Sequence, residues 1–157
     1  MAQATSVSSK KKPVIPRGNL NPEFVCRSDA AWKKELNAAG LGWRFSDNRL
    51  GKFISHSETL ACVNSSLVAE GLAIRAAIED AIDLQLGNVV FESDSLQLVA
   101  AIFEGSDIVE LHGILADISI LATSFDSISF RFVNRSLLPF EDGLAKQALR
   151  SLVTNPT

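Results

Sequence analysis

Three strand-like segments follow one another directly near the start of the chain, with no room for a helix between them. They are residues 24–32 (FVCRSDAAW), 39–47 (AGLGWRFSD) and 50–62 (LGKFISHSETLAC), with a hairpin turn at Asp47-Asn48 between the second and the third. Strands joined so closely pair as antiparallel neighbours, because a parallel pair needs a crossover of roughly a dozen residues. This part of the chain therefore predicts an antiparallel three-stranded sheet.

Helices and strands alternate after residue 63. A long amphipathic helix is predicted over 64–87, with Asn64 or Ser65 as its N-cap and Gly87 as its stop. The later elements are a strand from Asn88 to Asp94, helices over 95–105 and 109–125, a strand over 127–133 and a helix over 138–152. The order β-β-β-α-β-α-α-β-α predicts an α/β fold with a five-stranded mixed sheet, three antiparallel strands and then parallel ones, flanked by helices.

Charge is distributed unevenly between the N-terminal segment and the rest of the chain. Residues 1–22 are basic, rich in Ser and Thr and punctuated by proline, which predicts a flexible tail before one domain over 23–153. Residues 1–20 contain four basic and no acidic residues, so 11 basic and 18 acidic residues remain and give residues 21–157 a net charge of −7. That balance argues against nucleic-acid binding by overall charge alone and suits carboxylates gathered around a cation.

The N-terminal segment shows no secretory signal, and no apolar run is long enough to span a membrane. We therefore expect an intracellular protein in the nucleus or the cytoplasm. An organelle is an alternative, because an acid-free tail fits a transit peptide as well as a basic import patch.

Several classes of site are disfavoured by spacing. Ser93 and Ser95 flank Asp94 without a histidine partner, which argues against a serine hydrolase. Gly40 and Gly42 do not precede a helix, so they do not form a phosphate-binding loop. The two cysteines match no zinc or redox spacing.

Four acids lie in or beside apolar segments, where solvation explains them poorly. Asp29 ends the first strand, Glu70 lies inside the apolar helix, Asp94 ends the fourth strand and Asp142 falls in the first turn of the last helix. If strands one and four are neighbours, the first three acids meet, repel one another and need a divalent cation such as Mg²⁺ or Mn²⁺. A helix cap or a surface ion pair is the alternative for each acid. Glu92 belongs to no motif, and we expect it to face the opposite side of the strand end or solvent.

Four motifs occur in a recognisable order: SDAAWKK…AGLGWRFSD, SSLVAEGLAIRAAIEDA, VVFESDSLQLVAAI and FRFVNRS…EDGLAKQAL. Together they resemble the plant ribonuclease-H-like domain, also called the reverse-transcriptase-like domain, over about residues 24–150. The resemblance implies the ribonuclease H fold and hydrolysis of the RNA strand of an RNA–DNA hybrid. It also implies a catalytic metal site for two Mg²⁺ or Mn²⁺ ions, formed by Asp29, Glu70, Asp94 and Asp142.

The sequence departs from that pattern in the loop 134–142, NRSLLPFED. The loop lacks the histidine that many active relatives carry, and it has Leu138 where Asn is common and Glu141 where Ala is usual. A catalytically weakened or inactive module that binds nucleic acid or a protein partner is therefore an alternative, as is a nuclease with another substrate. The predicted nucleic-acid contacts are Lys33, Lys34, Arg44 and Arg135.

Overall fold

The computed structural model describes residues 21–154, so the predicted tail lies outside the described residues apart from Asn21 and Pro22. The elements are β1 (Phe24–Lys33), β2 (Ala38–Asp47), β3 (Phe53–Ala61), α1 (Ser66–Asp83), β4 (Asn88–Ser93), α2 (Leu96–Glu104), α3 (Val109–Ala122), β5 (Ser127–Phe132) and α4 (Pro139–Thr154). Short 3-10 helices lie at Lys34–Leu36 and Arg135–Leu137. The predicted order of strands and helices is confirmed. No helix of residues 21–154 is long and apolar enough to cross a membrane.

The five strands form one sheet in the order β3-β2-β1-β4-β5. The pairs β1–β2 and β2–β3 are antiparallel, whereas β4 is parallel to both β1 and β5. The predicted mixed sheet is thus confirmed. The ladder between β1 and β4 ends at the pair Arg27 and Glu92, while β1 continues along β2 as far as Lys33. Asp29 therefore lies beside the point where β4 ends, which is where Asp94 follows.

Helix α1 begins as predicted and ends earlier than predicted. The Ser65 hydroxyl accepts a hydrogen bond from the backbone N–H of Val68 at 3.1 Å, which identifies Ser65 as the N-cap. The helix ends at Asp83, so the prediction of Gly87 as its stop was wrong. Gln85 adopts the left-handed conformation at φ 60°, and the chain turns there, two residues before the glycine.

Helices α1, α2 and α3 cover one face of the sheet, and the main core lies between them and the sheet. That core contains Cys26, Trp43, Ile74, Phe91, Leu111 and Phe130. Helix α4 packs against β1, β2 and β3 from the other side. A Cβ atom added at Gly40 would lie 2.0 Å from the carbonyl oxygen of Ala145, so only glycine permits this approach. The close packing holds the first turn of α4, and with it Asp142, beside the end of the sheet.

Candidate metal centre

Three carboxylates from three separate elements converge beside the end of β4. Asp29 comes from the middle of β1, Glu70 from the second turn of α1, and Asp94 follows β4 directly. Each offers an oxygen atom that lies within 4.8 Å of the other two. The parallel pairing of β1 with β4 brings Asp29 close to Asp94, and helix α1, which packs on the sheet, adds Glu70. The three acids that the sequence predicts as neighbours thus come together.

Asp29 is fully buried, and its surroundings disfavour its charged form. One oxygen, Oδ1, accepts a hydrogen bond from the backbone N–H of Ala30 at 2.9 Å. The other, Oδ2, has no hydrogen-bond partner within residues 21–154. Burial, followed by the charge of Asp94, raises the pKa of Asp29 to about 6, although the Ala30 hydrogen bond opposes the shift.

Glu70 is more strongly perturbed than Asp29. Only 9% of the residue is exposed, and its buried Oε1 has no hydrogen-bond partner in the described part of the chain. Burial raises the pKa of Glu70 to about 9, with further contributions from the charges of Asp29 and Asp94. The metal-free protein therefore keeps a proton on Glu70 at neutral pH.

The donor set fits a hard divalent cation. All three side chains supply carboxylate oxygens, which are the ligands that Mg²⁺ and Mn²⁺ prefer. Two of these oxygens are buried and accept no hydrogen bond from a backbone or basic group of residues 21–154. A hydrogen bond with Asp29 favours the protonated form of Glu70, so a cation would take the place of a proton in the cluster. It would also offset the burial and the mutual repulsion that together raise both pKa values. The identity and number of ions stay a prediction.

Asp142 lies at the rim of this cluster rather than within the group of three. Its side chain is partly exposed and forms ion pairs with Arg135, at 3.6 Å, and with Lys146, at 3.0 Å. Asp142 is nevertheless close enough to contribute to the raised pKa of Asp29. The Arg135 guanidinium also lies 3.6 Å from Asp94, so it bridges the cluster and the rim.

Lys33, Lys34 and Arg135 are exposed, as residues that contact nucleic acid must be. Lys33 ends β1, and Lys34 begins the 3-10 helix that follows. The Arg135 side chain is 70% exposed and lies at the carboxylate cluster. Their role as nucleic-acid contacts stays a prediction.

Arg44 differs from the other predicted contacts because its side chain is engaged within the protein. Its Nε atom lies 3.1 Å from Oε2 of the fully buried Glu141. Its guanidinium lies over the rings of Phe140, at 4.5 Å, and Phe53, at 5.3 Å. The structure therefore gives Arg44 a role in fixing α4 on β2, and contact with nucleic acid stays a prediction.

Glu92 is the acid whose environment the sequence did not reveal. Of the two environments that we expected, the opposite side of the strand end or solvent, solvent was wrong, because the residue is only 2% exposed. It accepts hydrogen bonds from Nε of Arg27 at 2.7 Å and from Nε of Arg131 at 2.8 Å. Strand alternation indicates the face of each side chain, but the pairing of β1, β4 and β5 that brings these three together is a property of the fold.

A sequence profile of the reverse transcriptase-like family matches residues 27–148, which include the three converging acids and Asp142. The chain belongs to the reverse transcriptase-like family. Its assignment to a plant subgroup stays a prediction. A comparison with curated proteins gives no match.

Solved structures share the fold of this reverse transcriptase-like domain. RNase H1 from the halophilic archaeon Halobacterium salinarum is 23% identical, with a TM-score of 0.76 over 82% of this chain and 98% of that one. The N-terminal RNase H domain of a Mycobacterium tuberculosis protein is 18% identical, with a TM-score of 0.76 over 87% and 100%. LC11-RNase H1 in complex with RNA/DNA hybrid is 18% identical, with a TM-score of 0.74 over 83% and 99%. The expected ribonuclease H fold is therefore confirmed.

Divalent cations are expected to stabilise this reverse transcriptase-like domain against heat. An ion that binds only the folded state adds about 2.7 kcal/mol when its free concentration is roughly 100 times its Kd. Thermal unfolding followed by circular dichroism with and without Mn²⁺ measures the effect. The Asp29→Asn variant should show a smaller rise in Tm, and an equal rise in both proteins would place the ion elsewhere.

Proposed function

We propose that the chain is a metal-dependent endonuclease that hydrolyses the RNA strand of RNA–DNA hybrids. The observation that carries the proposal is the convergence of Asp29, Glu70 and Asp94 within 4.8 Å at the end of the central strands of a ribonuclease H-like sheet. A carboxylate cluster of this kind is costly unless a cation is used there. Catalysis is the use of such a cation that the family resemblance favours.

The residues divide into a buried group that holds cations and a rim that meets the substrate. Asp29, Glu70 and Asp94 would hold the ions, with Asp142 completing the set from the first turn of α4. When bound, two such ions supply an activated water and neutralise charge on the leaving oxygen. Arg135 is exposed at the rim, where its guanidinium can donate hydrogen bonds to a phosphate group.

The RNA–DNA hybrid is the substrate that the family resemblance and a structural neighbour support. LC11-RNase H1, which shares the fold, was solved with an RNA/DNA hybrid. A hybrid is recognised through groove shape and 2′-hydroxyl groups rather than base edges, so we expect little sequence preference.

A binding module without turnover is the second candidate, and two observations favour it. The loop before Asp142 contains Arg135 rather than a histidine, and this guanidinium already lies 3.6 Å from both Asp94 and Asp142. Residues 21–157 also carry a net charge of −7, which weakens the general attraction to a polyanion.

A cleavage assay with three labelled substrates separates the two candidates. The protein is incubated with RNA–DNA hybrid, duplex DNA and single-stranded RNA, in Mg²⁺ and then in Mn²⁺. We expect cleavage of the RNA strand of the hybrid only. We expect the rate of hybrid cleavage by Asp94→Asn to be lower by about a hundredfold or more, because Asp94 would be a ligand of the cations that supply the activated water.

Asp117→Asn is the matched control, since Asp117 lies in α3 and pairs with Arg75 away from the cluster. This control should retain the activity of the parent. If the hybrid binds but is not cleaved in either metal, the nuclease proposal fails and the binding module stands.

A further inference from the structure

Three arginines lie near the C-terminal end of β4: Arg27 and Arg131 flank Glu92 across the sheet, and Arg135 contacts Asp94 in the carboxylate cluster. We propose that this arginine strip (Arg27, Arg131 and Arg135) binds the phosphodiester backbone of the nucleic-acid strand on one side of the bond to be cut. The inference deepens the proposed function and rests on it for the identity of the strand. It assigns a role to Arg27 and Arg131, which the carboxylate site does not require.

A buried carboxylate holds two of these arginines in place. Arg27, Glu92 and Arg131 are direct neighbours across β1, β4 and β5. Arg27 Nε lies 2.7 Å from one oxygen of Glu92, and Nε and Nη2 of Arg131 both donate to the other. Glu92 is 2% exposed because the two arginines, which are themselves partly exposed, cover its carboxylate. The two guanidinium groups are thereby fixed before any ligand arrives.

The charge of the group formed by Arg27, Glu92 and Arg131 is unbalanced, unlike that of the ion pairs of Arg44 and Arg75. One carboxylate faces two guanidinium groups, which leaves one positive charge in excess. Arg44 with Glu141 and Arg75 with Asp117 each match one guanidinium with one carboxylate. Excess charge on oriented guanidinium groups is what phosphate recognition uses, because their paired N–H groups match phosphate oxygens.

The position of the strip matches a strand that passes through the cluster. Arg27 precedes Asp29 by two residues, so the two side chains leave the same face of β1. Arg135 reaches Asp94 from the segment that follows β5. The side chains of Arg27, Arg131 and Arg135 are 33%, 55% and 70% exposed, so each is open to a ligand. A strand with its phosphate at the carboxylates would place its neighbouring phosphates along the strip.

The arginine strip also explains how a domain with a net negative charge could bind a polyanion. With a net charge of −7 outside residues 1–20, long-range attraction cannot supply the affinity. Local contacts with a few phosphates can supply the affinity. They also predict how the affinity depends on salt concentration. Log affinity falls linearly with log salt concentration, and each phosphate contact that is lost should make this slope less steep by about one unit.

Binding of a fluorescein-labelled RNA–DNA hybrid, followed by anisotropy, tests the strip. The Glu70→Gln protein is used in Mg²⁺, so that the hybrid is not consumed during the measurement. Adding Arg131→Gln should weaken binding about tenfold and lower the salt slope by about one unit. Arg27→Gln should act in the same direction, and Arg131→Lys should lose less affinity than Arg131→Gln because it keeps the charge. Glutamine can still donate to Glu92, which protects the fold.

Arg75→Gln is the matched control, because its side chain is 31% exposed and bound to one carboxylate, Asp117. It should leave affinity and salt slope unchanged. Affinity and salt slope equal to those of the Glu70→Gln protein, in both Arg27→Gln and Arg131→Gln, would overturn the strip. That result leaves the nuclease proposal intact if the wild-type protein cleaves the hybrid. A wild-type protein that binds through the strip without cleaving would refute only the nuclease proposal.

Discussion

Replacing Arg44 with alanine is expected to lower the free energy of unfolding by about 3–5 kcal/mol. Glu141 is fully buried, and neither of its oxygens has a hydrogen-bond partner within residues 21–154. Arg44, with Nε at 3.1 Å, is its ion-pair partner. Without that guanidinium, the carboxylate would remain buried with its charge uncompensated. The substitution would also remove the stacking of the guanidinium on Phe53 and Phe140.

Removing both charges together should restore most of the lost stability. Buried ion pairs replaced by apolar side chains are often neutral in stability, because the desolvation cost disappears with the charges. We therefore expect Arg44→Met combined with Glu141→Met, which keeps the volume of both side chains, to be far more stable than Arg44→Ala alone. Denaturation in urea measures all three proteins under the same conditions.

Arg75→Ala provides the comparison for a partly exposed pair. Its partner Asp117 is half exposed, and the pair should contribute less than about 1 kcal/mol. Two results would contradict the stability assigned to the buried pair. One is a loss of unfolding free energy in Arg44→Ala no larger than that in Arg75→Ala. The other is a double variant with no higher unfolding free energy than Arg44→Ala.

The order of strands and helices was predictable because local pattern determines it. The close succession of strands before residue 63 required antiparallel hairpins, and the structure has them. The end of α1 was not predictable in the same way, because Gln85 rather than a glycine adopts the left-handed turn. A non-glycine residue can take that conformation where surrounding contacts compensate for its cost, and those contacts belong to the tertiary structure.

The carboxylate cluster was accessible from sequence because each acid interrupts an apolar segment. Asp29, Glu70 and Asp94 each stand where burial is expected, and the structure brings them within 4.8 Å. The environments of Arg44 and Glu92 were not accessible, because their partners come from distant segments. Strand register and the docking of α4 determine those contacts, and neither leaves a periodic signal in the chain.

The metal-free protein is expected to lose stability as pH rises, and Glu70 should account for most of that loss. Its pKa is about 9 in the folded state against an ordinary value of 4.5, so the folded protein binds the proton more tightly than the unfolded chain. Stability from this group is therefore complete below about pH 4.5 and is lost progressively up to about pH 9. In EDTA at pH 8, Glu70→Gln should exceed the wild type in unfolding free energy by on the order of 3 kcal/mol.

The pH dependence shows whether Glu70→Gln stabilises the protein by removing an ionised carboxylate or by an effect that does not depend on ionisation. At pH 4.5 and below, the difference between Glu70→Gln and the wild type should nearly vanish, because the wild-type carboxyl is then protonated in both states. Mn²⁺ at neutral pH should stabilise the wild type more than the variant, since the ion uses the ionised carboxylate. Urea denaturation across this pH range provides the measurement, with Glu79→Gln as the control on an exposed face of the same helix. The variant should be more stable because glutamine removes the cost of burying an ionised carboxylate beside Asp29 and Asp94. If Glu70→Gln is less stable than the wild type in EDTA at pH 8, the ionised Glu70 does not destabilise the metal-free fold.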